Sequence, residues 1–257
     1  MVRRWRPTGL RMIEAWVMDA CPTLSLSEGG AMSNESVRNQ WAERFGRPDP
    51  KIVCVGLNYS DHTGESGMEA PKAPLLFGKF SNTLCGDGDA IPLQPGVGHV
   101  DAEAELAVVI GERASRVPEA SAMDVIAAYT CGNDVSARDA QFGDGQWFRG
   151  KGLDGFCPVG PRLVDAGELD PSDLRIQQRL NGEVFQDSRT RHLIFTIPVL
   201  VSYISHALTL EPGDLILTGT PEGVGVFREP KVSLRDGDVV EIEIEGIGVL
   251  RNEVRAL

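Results

Sequence analysis

Three carboxylate residues in this chain have a spacing that suits a divalent cation. Glu103 and Glu105 are one residue apart at the start of an apolar run over residues 106–110, and Asp134 ends a second apolar stretch about thirty residues later. Side chains at i and i+2 of a strand point to the same face, so both glutamates can reach one point. Two carboxylates about 4 Å apart repel by roughly 4 kcal/mol at an effective dielectric constant of about 20. The pattern therefore predicts a cation site, because hard divalent ions prefer oxygen ligands.

A possible general base follows the apolar residues 52–56. His62 and Glu65 are three residues apart, so they would share a face if a helical turn begins at Asp61. A carboxylate beside an imidazole orients the ring and raises its basicity, and such a pair could activate water. The alternative is a histidine on a surface turn. Few apolar residues surround this pair, which favours a lid that orders over a substrate.

Two cationic residues have both a functional and a structural interpretation. Arg138 could clamp a substrate carboxylate, or it could pair with Asp139 or Asp134 in a structural network. Lys151 stands between two glycines, where it could stabilise an oxyanion or an enolate. A solvated loop lysine is the alternative for such a Gly-Lys-Gly sequence. The sequence leaves both pairs of alternatives open.

The segment 218–225 is rich in hydroxyl groups and glycine N–H groups, so it could hold a carboxylate or carbonyl oxygen. It lacks the Gly-Lys-Ser/Thr ending of a phosphate loop. Residues 150–155 match GxGxxG, but Pro158 and Pro161 follow where a dinucleotide site needs a helix. No HExxH or Cys/His spacing indicates zinc, and no GxSxG indicates a serine hydrolase.

The composition indicates a globular protein of 257 residues, 42% hydrophobic and 24% charged. A formal net charge of -12 argues against a nucleic-acid partner. No apolar window is long enough to cross a membrane. Five cysteines without a CxxC pair favour buried thiols in a reducing cytoplasm, and Glu14 and Asp19 interrupt any export signal.

The pattern divides the chain into an extension of poorly specified structure at 1–47 and a β-rich domain at 48–257. The predicted strands lie at 52–56, 106–110, 129–133, 215–218 and 239–244, and Asn181-Gly182 predicts a hairpin within 174–186. The predicted helices lie at 118–128 and 197–208.

Five motifs, taken in order, resemble the fumarylacetoacetate hydrolase family, and the resemblance runs from about Ile52 to Val254. They are Gly-Leu-Asn-Tyr-Ser-Asp-His at 56–62, Asp-Ala-Glu-Ala-Glu at 101–105, Gly-Asn-Asp-Val-Ser-Ala-Arg-Asp at 132–139, Gly-Lys-Gly at 150–152 with Cys-Pro at 157–158, and Thr-Gly-Thr-Pro-Glu-Gly-Val-Gly at 218–225.

The resemblance implies an α+β, β-rich fold, a mixed β-roll or β-sandwich with few helices, assembled as a homodimer or higher homo-oligomer. It implies Mg²⁺ or Mn²⁺ as the cofactor. The site residues that it implies are Glu103, Glu105 and Asp134 as metal ligands, His62 and Glu65 as the water-activating pair on a lid, and Gln141, Lys151 and Thr220 as contacts to substrate oxygens. Arg138 is a further candidate for substrate binding from the residue pattern described above.

Two features depart from the family pattern. Residues 1–47 do not read as the small N-terminal β domain that members often carry. Gly155 stands where the founding hydrolase has a hydroxyl residue, four positions after the lysine. The chain is therefore more similar to the smaller bacterial members, whose substrates are more varied.

The expected function is a metal-dependent hydrolase that cleaves a carbon–carbon bond in a 2-oxo acid or 1,3-dicarbonyl substrate, such as an acylpyruvate, through a metal-bound enolate. An isomerase of the 2-hydroxyhepta-2,4-diene-1,7-dioate type and an oxaloacetate-type decarboxylase are alternatives on the same scaffold. A metal-stabilised oligomeric scaffold is the non-enzymatic alternative.

Overall fold

The structure is a computed structural model that describes residues 35–61 and 71–257. The strands are β1 Ile52–Gly56, β2 Leu75–Lys79, β3 Leu84–Cys85, β4 Ala90–Leu93, β5 Val100–Asp101, β6 Ala104–Ile110, β7 Ile126–Asn133, β8 Ser136–Ala137, β9 Cys157–Asp165, β10 Arg175–Leu180, β11 Glu183–Arg189, β12 Leu215–Leu217, β13 Val239–Ile244 and β14 Gly248–Ala256. The α-helices in the described residues are α1 Glu35–Phe45, α2 Arg138–Gly143, α3 Phe148–Lys151 and α4 Ile197–Ala207.

Two larger sheets and a two-stranded pair make up the α+β, β-rich architecture. The seven-stranded sheet has the order β2-β1-β12-β6-β7-β9-β3, the five-stranded sheet has the order β11-β10-β13-β14-β4, and β5 pairs with β8. Strand β6 is buried along its whole length. Leu106, Val108 and Ile110 pack into one core cluster, whereas Ala107 and Val109 pack into a second. The alternation expected for this strand is therefore present, and both of its faces are covered.

The register of the central strands brings distant segments together at one end of β6. The antiparallel pairing of β6 with β7 places Ala104 opposite Asn133, and the N–H of Asp134 donates to the carbonyl of Glu103 over 3.0 Å. On the other side of β6, Leu217 of β12 lies opposite Ala107. The segment that follows β12 therefore emerges beside the glutamates.

The predicted hairpin and the second predicted helix are confirmed. Strands β10 and β11 meet at Asn181 and Gly182, whose φ angles of 53° and 82° suit a tight hairpin turn. The helix predicted at 197–208 is α4.

The helix predicted at 118–128 is wrong in type and length. Residues Glu119–Val125 form a 3₁₀ helix, and β7 begins at Ile126. The carbonyl of Val125 accepts the N–H groups of Gly111 and Glu112 at the end of β6, so it is engaged by the neighbouring strand. Because of this pairing with β6, the last residues of the predicted helix, 126–128, belong to strand β7 instead.

The described part of the N-terminal extension contains α1, for which the sequence predicted no element. Trp41 of α1 is buried, and its indole N–H donates to the carbonyl of Gly213 over 2.8 Å. Helix α1 is thereby attached to the β-rich domain by a buried contact.

The cysteines at 54, 85, 131 and 157 are buried free thiols, as expected, while Cys21 lies outside the described residues. Among the helices in 35–61 and 71–257, none has the length and apolarity to cross a membrane.

Candidate active site

Glu103, Glu105 and Asp134 converge at the end of β6. One oxygen atom of each carboxylate lies within 4.8 Å of those of the other two, and all three side chains are buried. The donor set contains only carboxylate oxygens, which suits a hard cation such as Mg²⁺ or Mn²⁺ better than the softer metals that thiolates or imidazoles select. The residues therefore fit the divalent cation that the sequence predicted.

Lys151, at the end of α3, reaches into this carboxylate cluster. Its Nζ lies 2.9 Å from Glu103 Oε2 and 2.6 Å from Asp134 Oδ2, and it donates to Ser136 Oγ over 2.7 Å. Burial disfavours the ammonium form, but the charges of Asp134 and Glu103 outweigh burial and raise the pKa of Lys151 above its ordinary value. The side chain is buried rather than solvated, and it stays protonated at neutral pH. It can stabilise negative charge, but it is a poor base.

Lys79, at the end of β2, is a second buried ammonium group that the sequence analysis missed. Its Nζ lies 2.7 Å from Asp134 Oδ1. It also donates to the carbonyl oxygens of Lys151, Phe156 and Val135 over 2.6, 2.7 and 3.1 Å. Its side chain is fully buried. The only signal in the sequence is a lysine beside aromatic residues at the end of an apolar run.

Arg138, at the start of α2, belongs to a buried network. Its NH1 atom lies 2.7 Å from Glu103 Oε1 and donates to Gln141 Oε1 over 3.0 Å. Its Nε and NH2 atoms donate to Asp101 Oδ2 over 3.2 and 2.9 Å. The guanidinium therefore takes part in a buried ion-pair network, with Asp101 and Glu103 as its acidic partners in place of the Asp139 or Asp134 that the sequence suggested.

Glu103 and Glu105 have different electrostatic environments. Burial disfavours the charged form of Glu103, but Lys151 and Arg138 outweigh it and hold the pKa of Glu103 well below its usual range. For Glu105, burial and the charges of Asp134 and Glu103 raise the pKa well above its usual range. Glu105 accepts the N–H of Gly219 over 2.7 Å, but within the described part of the chain it forms no ion pair. Among the described residues, Glu105 is thus the carboxylate of the cluster without a cationic partner.

A cavity of about 40 Å³ opens onto the carboxylate cluster. A water molecule needs roughly 10–15 Å³ of such volume, so the cavity can hold a few water molecules or one small polar group. Its walls are Val55, Gly56, Leu57, Phe77, Glu103, Glu105, Asp134, Trp147, Lys151 and Thr220. Arg138 and Gln141 are not among these walls, so the substrate contacts expected of them stay predictions.

The segment after β12 places Thr220 at the cavity. Gly219 has a φ of 105°, and a Cβ atom there would lie 2.8 Å from the Cβ of Asn58. Only glycine suits both the backbone conformation and the space. The side chain of Asn58 donates to the carbonyl of Thr218 over 2.7 Å and so holds the start of this segment against the end of β1.

The residues expected to activate water, His62 and Glu65, lie outside the described residues. Their pairing and the lid on which the sequence places them stay predictions. The described site thus contains the carboxylate cluster, two buried ammonium groups and Thr220.

Comparison with known proteins gives a family match over most of the chain. Residues 51–255 match the family model described as "Fumarylacetoacetate (FAA) hydrolase C-terminal". The chain is 47% identical over 210 residues to the mitochondrial oxaloacetate tautomerase Fahd2a of Rattus norvegicus, covering 81% of this chain and 67% of the relative. It is also 47% identical over 211 residues to the mitochondrial oxaloacetate tautomerase FAHD2A of Homo sapiens, with the same coverage of 81% and 67%.

Two solved structures give a similar result. The crystal structure of 5-carboxymethyl-2-hydroxymuconate delta-isomerase from Mycobacterium smegmatis has a TM-score of 0.73 and 47% identity, covering 80% of this chain and 79% of that one. The 2-hydroxyhepta-2,4-diene-1,7-dioate isomerase from Mycobacterium marinum has a TM-score of 0.72 and 46% identity, covering 80% and 74%.

Proposed function

Because the chain belongs to the fumarylacetoacetate hydrolase family, we propose that it is a divalent-metal-dependent enzyme that interconverts the keto and enol forms of a small 2-oxo acid of the oxaloacetate type. The observation that carries the proposal is the buried, oxygen-only cluster of Glu103, Glu105 and Asp134, which lies beside a cavity with Lys151 on its wall. The names of the relatives support this reaction class, since they are tautomerases and isomerases.

The carboxylate cluster is the proposed holder of Mg²⁺ or Mn²⁺. Glu105 is the strongest argument, because burial and two neighbouring carboxylates raise its pKa and no described cationic side chain pairs with it. When bound, a divalent cation supplies Lewis acidity that polarises the oxygens of a 2-oxo acid.

Lys151 and Thr220 are the proposed contacts to the substrate. Enolisation moves charge onto the substrate oxygen, and an ammonium group that stays protonated favours that change. Thr220 lines the same cavity and offers a hydroxyl group. Proton transfer between carbon and oxygen is assigned to His62 and Glu65, as a hypothesis from the sequence.

Hydrolysis of an acylpyruvate-like substrate is the second candidate, and decarboxylation of an oxaloacetate-like acid is the third. Both reactions begin from the same bound 2-oxo acid, but hydrolysis also needs an activated water. The named relatives are tautomerases and isomerases, so we place tautomerisation first. A homodimer and a cytoplasmic location remain predictions, and the two animal relatives are named as mitochondrial.

The test is a substrate panel assayed with Mg²⁺, with Mn²⁺ and with a chelator. Tautomerisation removes the ultraviolet absorbance of the enol of oxaloacetate without forming pyruvate. Decarboxylation releases pyruvate and carbon dioxide, whereas hydrolysis of an acylpyruvate releases pyruvate and a carboxylic acid. We expect metal-dependent loss of the enol at a rate that exceeds pyruvate formation.

The matched variants are Glu105→Gln and Glu112→Gln. Glu105 is buried in the cluster, while Glu112 is exposed just beyond the other end of β6. We expect the first variant to lose metal-dependent turnover and the second to retain it. If pyruvate forms faster than the enol is lost, one of the other candidate reactions replaces tautomerisation. If the folded protein shows no metal-dependent turnover of any panel member, the enzymatic proposal is refuted.

A further inference from the structure

A buried glutamine joins the carboxylate cluster to the cavity wall. Gln186 lies on β11 of the five-stranded sheet, and its side chain is fully buried. Its Oε1 accepts the N–H of Ala104 over 2.9 Å, at the residue between Glu103 and Glu105. Its Nε2 donates to Thr220 Oγ1 over 2.8 Å and to the carbonyl of Pro221 over 2.7 Å.

The partners of Gln186 determine which way its amide points. A backbone N–H can only donate and a backbone carbonyl can only accept. The oxygen must therefore face Ala104 and the nitrogen must face Pro221, because a flipped amide would oppose two donors on one side and two acceptors on the other. The two amide hydrogens are then used, one by Pro221 and one by Thr220.

This arrangement determines the direction of the Thr220 hydroxyl hydrogen. A hydroxyl has one hydrogen to donate and two lone pairs to accept. Since Thr220 Oγ1 accepts from Gln186, its own hydrogen is directed to another atom. Within 35–61 and 71–257, Thr220 Oγ1 donates to no acceptor, and the residue lines the cavity. The hydrogen is available to an oxygen atom bound there.

We propose that Gln186 is a positioning residue that holds the Thr220 hydroxyl as a hydrogen-bond donor toward a carboxylate or enolate oxygen of the substrate. The inference rests on the proposed function and deepens it, because it assigns a preference for anionic oxygen at this position of the cavity.

A double-mutant cycle with oxalate as the probe tests this role. Oxalate presents carboxylate oxygens like those of a 2-oxo acid, and its affinity is measured by calorimetry in saturating Mg²⁺. In Gln186→Met nothing donates to Thr220 Oγ1 and no charge is added beside oxalate, so the Thr220 hydrogen is no longer directed toward the cavity. Because the variant loses a directed hydrogen bond to a charged oxygen of the ligand, we expect oxalate affinity to fall by about tenfold or more.

The coupling between the two residues distinguishes positioning from a structural role. Thr220→Val should weaken oxalate binding by a similar factor, and Gln186→Met in that background should weaken it little further. Thr220→Ser, which keeps the hydroxyl, should restore most of the affinity. An unchanged tenfold loss from Gln186→Met in the Thr220→Val background would overturn the inference.

A matched control variant guards against a simple loss of folding. Gln186→Met removes the amide without adding charge, and Gln178→Met is its matched control. Gln178 is also buried and lies directly opposite Gln186 in the pairing of β10 with β11, but among the described residues it is Gln186, and not Gln178, that forms a hydrogen bond with Thr220. We expect weaker oxalate binding only for the first. Equal effects of both substitutions would overturn the inference, whereas wild-type protein that binds no oxalate would contradict the proposed function itself.

Discussion

Replacing Lys79 by methionine should destabilise the protein strongly, although this residue lies outside the motifs that identify the family. Its ammonium group is fully buried, lies 2.7 Å from Asp134 Oδ1, and donates to three backbone carbonyl oxygens. Methionine matches the length of the side chain but supplies no donor. The substitution therefore removes one buried positive charge, and it leaves the three carbonyl oxygens without the donor that Lys79 supplies.

The expected loss of stability depends on the partners that Asp134 keeps in the variant. Removing one member of a buried ion pair destabilises a protein by about 3–5 kcal/mol. Asp134 keeps Lys151 within 2.6 Å on its other oxygen, so we expect the lower end of this range, about 3 kcal/mol. Domains of this kind are stable by about 5–15 kcal/mol in total, so the variant should fold with a much reduced margin.

Urea unfolding in the presence of chelator, followed by tryptophan fluorescence, measures this change. Trp147 packs against Phe77, which is two residues before the substituted position, at a ring distance of 5.2 Å. The control is Arg113→Met, which removes an exposed ion pair with Glu211 and should change stability by less than about 1 kcal/mol. A free energy of unfolding of Lys79→Met within about 1 kcal/mol of the wild-type value would refute the reasoning that this ammonium group stabilises Asp134 and the neighbouring backbone.

Three further predictions concern the charges of the cluster. The raised pKa of Glu105 means that, in chelator, wild type loses stability as pH rises above about 4.3, whereas Glu105→Gln avoids that loss. In thermal melts with chelator, the melting temperature of the variant should rise relative to that of wild type from about pH 5 to about pH 8. The same pH dependence of the melting temperature in both proteins would contradict this sign. The lowered pKa of Glu103 has the opposite effect, so Glu103→Gln should be destabilising at neutral pH, with a difference that shrinks below about pH 4 in the same melts. Lys151→Met removes a cation beside the proposed metal ligands, so calorimetry should show Mg²⁺ binding roughly tenfold tighter or more, and weaker binding would mean that Lys151 holds the ligands in place.

Much of the fold and part of the candidate site could be predicted from local sequence patterns. The alternation along β6, the turn at Asn181-Gly182 and the helix α4 depend on residues close together in the chain. The family motifs identified the family, and the spacing of Glu103 and Glu105 predicted that their carboxylates would converge. The helix expected at 118–128 failed because pairing with β6, a neighbour in space, competes for the carbonyl of Val125.

The tertiary structure alone decided which partners surround these carboxylates. Lys79 reaches Asp134 from β2, Arg138 pairs with Asp101, and Gln186 reaches Thr220 from the other sheet. These pairs are separated by 34 to 55 residues in the chain, and they meet because of strand order and register. A hydrogen bond or ion pair forms only when the distance between its two atoms is correct to within a few tenths of an ångström. Sequence periodicity specifies only the face on which a side chain lies. The sequence by itself therefore determined the chemical groups of this site, and the packing of the sheets decided which are paired, which stay charged and which face the cavity.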